Sequence, residues 1–444
     1  MSEALQDAGV GGRSEATHFT DYRNLAAIVL GLTLMQAAAT GLGAFGILTL
    51  TVRGASPFDV GIAAAGYAFG FLVGALRATS VVRSVGHIRT FAAFAATAAI
   101  ATLLLHATFY LAFWMMLQAL LGFCVSSLLT AGESWVAEAA PAERRGRLLA
   151  FYMVVSKFGQ IAGPACIASL VAGAPSGFMI IAGLFAASLV PVSMTRRSQP
   201  SPPSQETFSV LQLWRTAPAA VLAAFTAGVV NGAVLQLYPL FSRYAGPGTG
   251  LANAAAFNAA LALGAVLLQW PAGWASDRID RRLVVAGLAA IGALASAALL
   301  FGVSSLPWIA ILALATVWGA GALSFYGIAV AHAVDRAPPG QTTGTMSGIL
   351  VVWAIGAFAG PLIAGWLMSG PIGPAALFAF AALGLAALAA SMVVRRLGVA
   401  PTAPSEKSPF VVSPATSPAL VLIDPRADEA PATATELQDT GSAP

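Results

Sequence analysis

Twelve stretches of about twenty or more mostly apolar residues run through this chain, each closed by a short turn carrying Arg, Asp or Pro. No soluble core accommodates that rhythm. A helix rises about 1.5 Å per residue, so stretches of this length match the hydrocarbon thickness of a bilayer. They predict membrane-spanning helices 1 to 12 at 22–50, 57–82, 87–106, 109–138, 147–171, 176–195, 217–244, 251–275, 283–303, 306–334, 342–369 and 373–396. Composition points the same way. Hydrophobic side chains make up 58% of the 444 residues and charged ones 9%, against about a quarter charged in a soluble domain. The expected fold class is an all-α integral membrane protein with twelve transmembrane helices.

An even number of spans puts both termini on one side. Of the 22 Lys and Arg residues, only Arg53 and Arg243 fall in turns of the opposite side, and Lys157 lies within a span. Cytoplasmic loops retain basic residues, so both termini are expected in the cytoplasm and the protein in the cytoplasmic (inner) membrane. Residues 1–21 contain acids and no basic stretch ahead of helix 1, and do not resemble a cleavable signal peptide. The net charge of +4 is this topological bias, and no nucleic-acid partner is expected from it. Cys124 and Cys166 sit in apolar helices and imply neither a disulfide nor a metal site. His is scarce, with four residues, and no metal-ligand cluster, Ser-His-Asp spacing or nucleotide-binding loop is present. Neither enzymatic activity nor a cofactor is expected.

The stretch "TRRSQPSPPSQETF", residues 195 to 208, divides the helices six and six. The expected organisation is a cytoplasmic segment 1–21, a six-helix bundle 22–195, a linker 196–216, a second bundle 217–396 and a tail 397–444. The tail is rich in Pro, Ala, Ser and Thr and is expected to be disordered. Setting each residue beside the one 197 further on places Glu138 on Asp335, Pro141 on Pro338, Gly159 on Gly356, Gly163 on Gly360 and Pro164 on Pro361. Repetition of this kind predicts two parallel six-helix pseudo-repeats. The residues Gly159, Gly163, Pro164, Gly356, Gly360 and Pro361 have an expected role in close helix packing and in a fixed bend or hinge.

Two charges stand inside the membrane. Counting back from Pro141 puts Glu133 roughly 12 Å deep, and Lys157 lies about 15 Å past Arg147 on the next helix. A lone ion at such depth costs about 3 kcal/mol or more, so each needs a partner or water, and the simplest expectation is that they pair. Ser126, Thr130, Glu133 and Ala137 form one stripe; Lys157, Gln160 and Pro164 form another. A pair that merely fixes the packing of helices 4 and 5 is the plainer reading.

The turn "GWASDRIDRR", Gly273 to Arg282, resembles the signature of the major facilitator superfamily between helices 8 and 9: Gly, three residues, Asp, Arg, two residues and a basic pair. Its first-half counterpart keeps Gly86 but has Arg83 where the signature has Asp. The resemblance covers about residues 20 to 397. "GESW" on helix 4 and "RGRLLAFYMVVS" on helix 5 are similar to a bacterial inner-membrane branch of that superfamily. The resemblance implies a monomeric secondary carrier of a small-molecule substrate, embedded in lipid, working by alternating access with proton coupling. In the family, helices 1, 4, 7 and 10 line the cavity, which makes Gln36, Glu133, Asn231, Tyr238 and Phe325 candidate contacts. The lactose-permease group has an acid on helix 4 and a cation on helix 5 at its sugar site, which adds Lys157. The charges Glu138, Arg144, Arg145, Arg147, Asp277, Arg278, Arg281, Arg282 and Asp335 are expected to latch the two bundles at their inner ends when the cavity opens outward and to release when it opens inward, with His332 near the inner mouth. Two alternatives stand beside this: Lys157 receiving a substrate carboxylate with no proton involved, and a non-transporting membrane receptor or scaffold that recruits partners through its tail.

Overall fold

In the computed structural model, residues 3–107, 110–139, 145–194, 210–338, 341–398, 407 and 410 are described, although the side chains of 3–25, 137–139, 145–150, 210 and 343 are not. The helices observed are helix 1 Glu3–Val52, helix 2 Pro57–Val85, helix 3 His87–Ala107, helix 4 Leu111–Ala139, helix 5 Arg145–Cys166 and helix 6 Pro175–Ser193. After a short helix Val210–Thr216 follow helix 7 Pro218–Ala245, helix 8 Gly250–Arg278, helix 9 Arg281–Gly302, helix 10 Trp308–Val334, helix 11 Thr342–Met368 and helix 12 Ala376–Gly398. Eleven spans among the described residues are long and apolar enough to cross a bilayer. Helix 5, with Arg145, Arg147 and Lys157, is the less apolar twelfth.

Local chemistry sets the boundaries. Ahead of helix 2, Ser56 Oγ accepts from the Asp59 backbone N–H while the Asp59 carboxylate accepts from that of Ser56, with Pro57 at the first helical position. This reciprocal cap satisfies two orphan donors at the helix start. Gly86, at φ 87°, ends the helix in a conformation that disfavours a side chain. Helix 5 stops at Cys166, two residues past Pro164 and five short of the expected 171. Helix 7 contains a π-helical turn, Ala227–Asn231, and helix 10 breaks at Leu323 and Ser324; sequence periodicity predicts neither. The expected linker 196–216 contains the short helix, and its residues up to 209 lie outside those described.

The duplication shows in backbone crossings. Helix 2 crosses helix 4 where Gly70 meets the Ala119 carbonyl and Gly122 meets the Tyr67 carbonyl. In the second half, helix 8 crosses helix 10 where Gly264 meets the Thr316 carbonyl and Gly319 that of Leu261. A β-carbon at any of the four would run into main chain. Helix 5 lies on helix 1, and helix 11 on helix 7, in the same relation.

The halves meet at the end opposite the termini. Gly61 of helix 2 sits against the Pro361 carbonyl and Gly365 of helix 11. Nearby, the Phe58 backbone N–H donates to Ser369 Oγ at 3.0 Å. Deeper in the same seam, Phe71 packs edge-on to Trp353 with centroids 6.3 Å apart.

Candidate functional site

Helix 5 carries Tyr152, Ser156, Gln160 and Pro164 four residues apart, so they lie along one face. Lys157 Nζ donates to Gln160 Oε1 at 3.1 Å, and because an ammonium only donates, that atom of Gln160 must be its oxygen. The Gln160 amide nitrogen then donates to Gln36 Oε1 of helix 1 at 2.7 Å, and Gln36 Nε2 donates to Ser156 Oγ at 3.0 Å. One cation therefore orients a chain of amides across the helix 1 and helix 5 interface. The Gln160 main-chain carbonyl, whose ordinary donor would be the N–H that Pro164 lacks, accepts instead from Asn258 Nδ2 of helix 8 at 3.1 Å. That bond joins the two halves.

Glu133 and Lys157 do not pair. Glu133, fully buried, accepts from the Tyr152 hydroxyl at 2.6 Å. Tyr152 precedes Lys157 by five residues, which is about 140° around helix 5 and about 7.5 Å along it. The expected pairing fails because estimated depth fixes one coordinate of a side chain and leaves its direction around the helix open. Tyr152 and Ser156 were not among the expected site residues; their four-residue register with Gln160 was the available signal.

The other expected contacts have partners of their own. Thr130 donates to the Ser126 carbonyl of its own helix at 2.9 Å. Asn231, the last residue of the π turn, donates to the Ala322 carbonyl at 2.7 Å, tying helix 7 to the break in helix 10. Tyr238 stacks on Phe257 with ring centroids 6.2 Å apart, and Phe325 is fully buried. Gly159 and Gly163 bring helix 5 onto the Thr33 and Ala37 carbonyls of helix 1, while Gly356 and Gly360 bring helix 11 onto the Phe225 and Val229 carbonyls of helix 7. Pro361 presents its own carbonyl to Gly61 across the seam.

The model of the Major Facilitator Superfamily matches residues 27–268 and 253–427. The chain belongs to the major facilitator superfamily. Among its relatives is the uncharacterized MFS-type transporter YcaD of Escherichia coli, 27% identical over 345 residues that make up 77% of this chain and 88% of the relative. The Salmonella paratyphi A protein of the same name is 25% identical over 354 residues, 79% of this chain and 90% of that one. Solved structures share the fold at low identity. The nucleoside transporter NupG has TM-score 0.66 at 13% identity, covering 84% of this chain and 98% of that one. An inward-facing, unoccupied bacterial homolog of the lysosomal transporter Spinster has TM-score 0.64 at 14% identity, with coverage of 91% and 97%. The protein is thus a multi-pass membrane transporter of this superfamily.

In this superfamily member the second-half charges fasten helices of one half to each other. Arg281 of helix 9, 2% exposed, reaches Asp335 at the end of helix 10 through Nε at 2.7 Å and Nη2 at 3.3 Å, and lies 3.6 Å from Asp277. Arg282 holds Asp280 at 2.8 Å and donates to the Arg395 carbonyl of helix 12 at 2.9 Å; Arg396 adds a 3.1 Å contact to Asp280. Burial raises the Asp280 carboxyl, but the hydrogen bonds and charge of Arg282 outweigh it and hold its pKa below the usual carboxylate value. Arg278 stacks over Trp274 at 3.8 Å. These contacts of Asp277, Arg278, Arg281, Arg282 and Asp335 lie within the second half. The side chains of Glu138, Arg145 and Arg147, and all of Pro141 and Arg144, lie outside the described residues.

Two positions of the tail, 407 and 410, are among the described residues. Lys407 Nζ donates to the Ile279 carbonyl at 2.6 Å, and the Phe410 N–H to the Asp277 carboxylate at 3.0 Å. The Phe410 ring covers Gly273. The carbonyls left open at the end of helix 8 are filled in this way by a cation, as a helix C-terminus favours.

Proposed function

We propose that this chain is a secondary carrier that moves a small solute across the cytoplasmic membrane by alternating access, with both termini cytoplasmic and this structure open toward them. The observation that carries the reading is the polar chain Lys157, Gln160, Gln36 and Ser156, set between helices 1 and 5 within the membrane and touched by the opposite half through Asn258. Contacts between the halves at the far end, Phe58 with Ser369 and Gly61 with Gly365, support closure there. Proton coupling falls to Glu133, the acid among the described residues set within the membrane interior, with Tyr152 fixing its orientation.

Metabolite profiling of cells lacking the chain, followed by flux measurements in proteoliposomes with an imposed pH gradient, tests the reading. Glu133→Gln is expected to abolish gradient-driven accumulation while leaving exchange or binding. Unaltered accumulation by that variant removes Glu133 from the coupling scheme, and the absence of any flux by the native chain removes the carrier.

A further inference from the structure

The interior of this transporter holds a cation that none of its described acids pairs with. Lys157 is half-buried, and its hydrogen bond is to the neutral side-chain oxygen of Gln160. No ion pair joins it to a described acid. Glu133, the nearest acid by depth, is turned to Tyr152 on another face of helix 5. The remaining described acids stand at helix ends: Asp59 caps helix 2, Asp277 and Asp335 share Arg281, and Asp280 holds Arg282 and Arg396. A charge near the middle of the membrane is unfavourable without a counter-charge, and here the helices supply only an amide dipole.

The surroundings are built for a ligand's oxygen atoms. An ammonium has three donors, and Gln160 takes one. Gln160 is locked in position from behind by Gln36, which is locked in turn by Ser156. Asn258 reaches the same residue from the opposite half, so Lys157 lies beside the seam that must open and close.

We infer that Lys157 is the receptor for an oxyanion group on the cargo, a carboxylate or phosphate of a small organic anion. Gln160 holds the ammonium until the anion arrives and then shares it. This rests on the carrier reading for its role in transport, but binding itself is tested without flux.

The full chain is purified in nanodiscs of phosphatidylcholine and its thermal midpoint followed at constant ionic strength. The probes are acetate, succinate, citrate, benzoate, inorganic phosphate and glycerol phosphate, against chloride and the neutral amides of the same acids. At least one oxyanion should raise the midpoint of the native chain, its amide should not, and Lys157→Gln should lose the response at least tenfold in apparent affinity while Lys157→Arg keeps part of it. Without any probe, Lys157→Gln should raise the midpoint, because it removes an unbalanced ion. No response to any oxyanion, an equal response in Lys157→Gln, or a lower midpoint of that variant overturns the proposal. Nanodiscs containing phosphatidylglycerol identify the source: a midpoint raised by that lipid in the native chain and not in Lys157→Gln assigns the oxyanion to a lipid headgroup. A bound anion that gives no flux in proteoliposomes defeats the carrier and leaves the site standing.

Discussion

At the scale of single residues, the Tyr152 hydroxyl donates a 2.6 Å hydrogen bond to the fully buried carboxyl group of Glu133 and helps to hold it in place. Hydrogen bonds to charged groups contribute about 1.5–3 kcal/mol. Tyr152→Phe keeps the ring and removes the donor, so a thermal midpoint several degrees lower is expected; an unchanged one means Glu133 is held by other groups. Asp280 behaves differently because it titrates at the membrane surface. Its folded pKa lies below the ordinary value, so its contribution is present above the unfolded carboxylate pKa of about 4 and is lost as pH falls through the folded one. Asp280→Asn is expected to lower the midpoint at neutral pH and to converge on the native chain in acid, measured as midpoint against pH. Parallel curves at every pH would remove Asp280 from the acid response.

Individual helices depend on backbone contact. A side chain at Gly163 meets the Ala37 carbonyl and one at Gly360 meets that of Val229, and overpacking of this kind costs about 1–3 kcal/mol. Gly163→Val and Gly360→Val are each expected to lower the midpoint and the folded yield, measured by size-exclusion profile; a native profile from either would mean the crossing relaxes easily. Phe410→Ala should speed proteolysis of the tail several-fold by uncovering Gly273, and equal rates would leave the docked contact without effect. Most helix positions were legible, because a twenty-residue apolar run between polar turns has few other uses. The π turn was not, since "AGVVN" carries no breaker, and its distortion accompanies a bond from Asn231 to a carbonyl exposed by the bend in helix 10. The docking of Phe410 was hidden for a related reason: a lone aromatic in a Pro-rich stretch has no period to read.

Across the whole molecule, the repeat written in Gly159, Gly163 and Pro164 against Gly356, Gly360 and Pro361 reappears as two halves with matching helix crossings. The site was only partly legible. Gln36 and Lys157 were singled out in the sequence, but which neighbours they bind depends on helix rotation, which the sequence does not specify. If the halves part at the far end during transport, cysteines replacing Phe58 and Ser369, in a chain without Cys124 and Cys166, should cross-link on mild oxidation and stop flux until a reductant is added. Undiminished flux with the bond formed would place the moving gate elsewhere. Pro164 carries a further consequence. By withholding its own hydrogen, the imino ring leaves one lone pair of helix 5 on loan to the opposite half, and any swing that takes Asn258 away calls in that loan. Water or the cargo has to step into the gap, so a solute able to offer a hydrogen there would lower the barrier to its own passage.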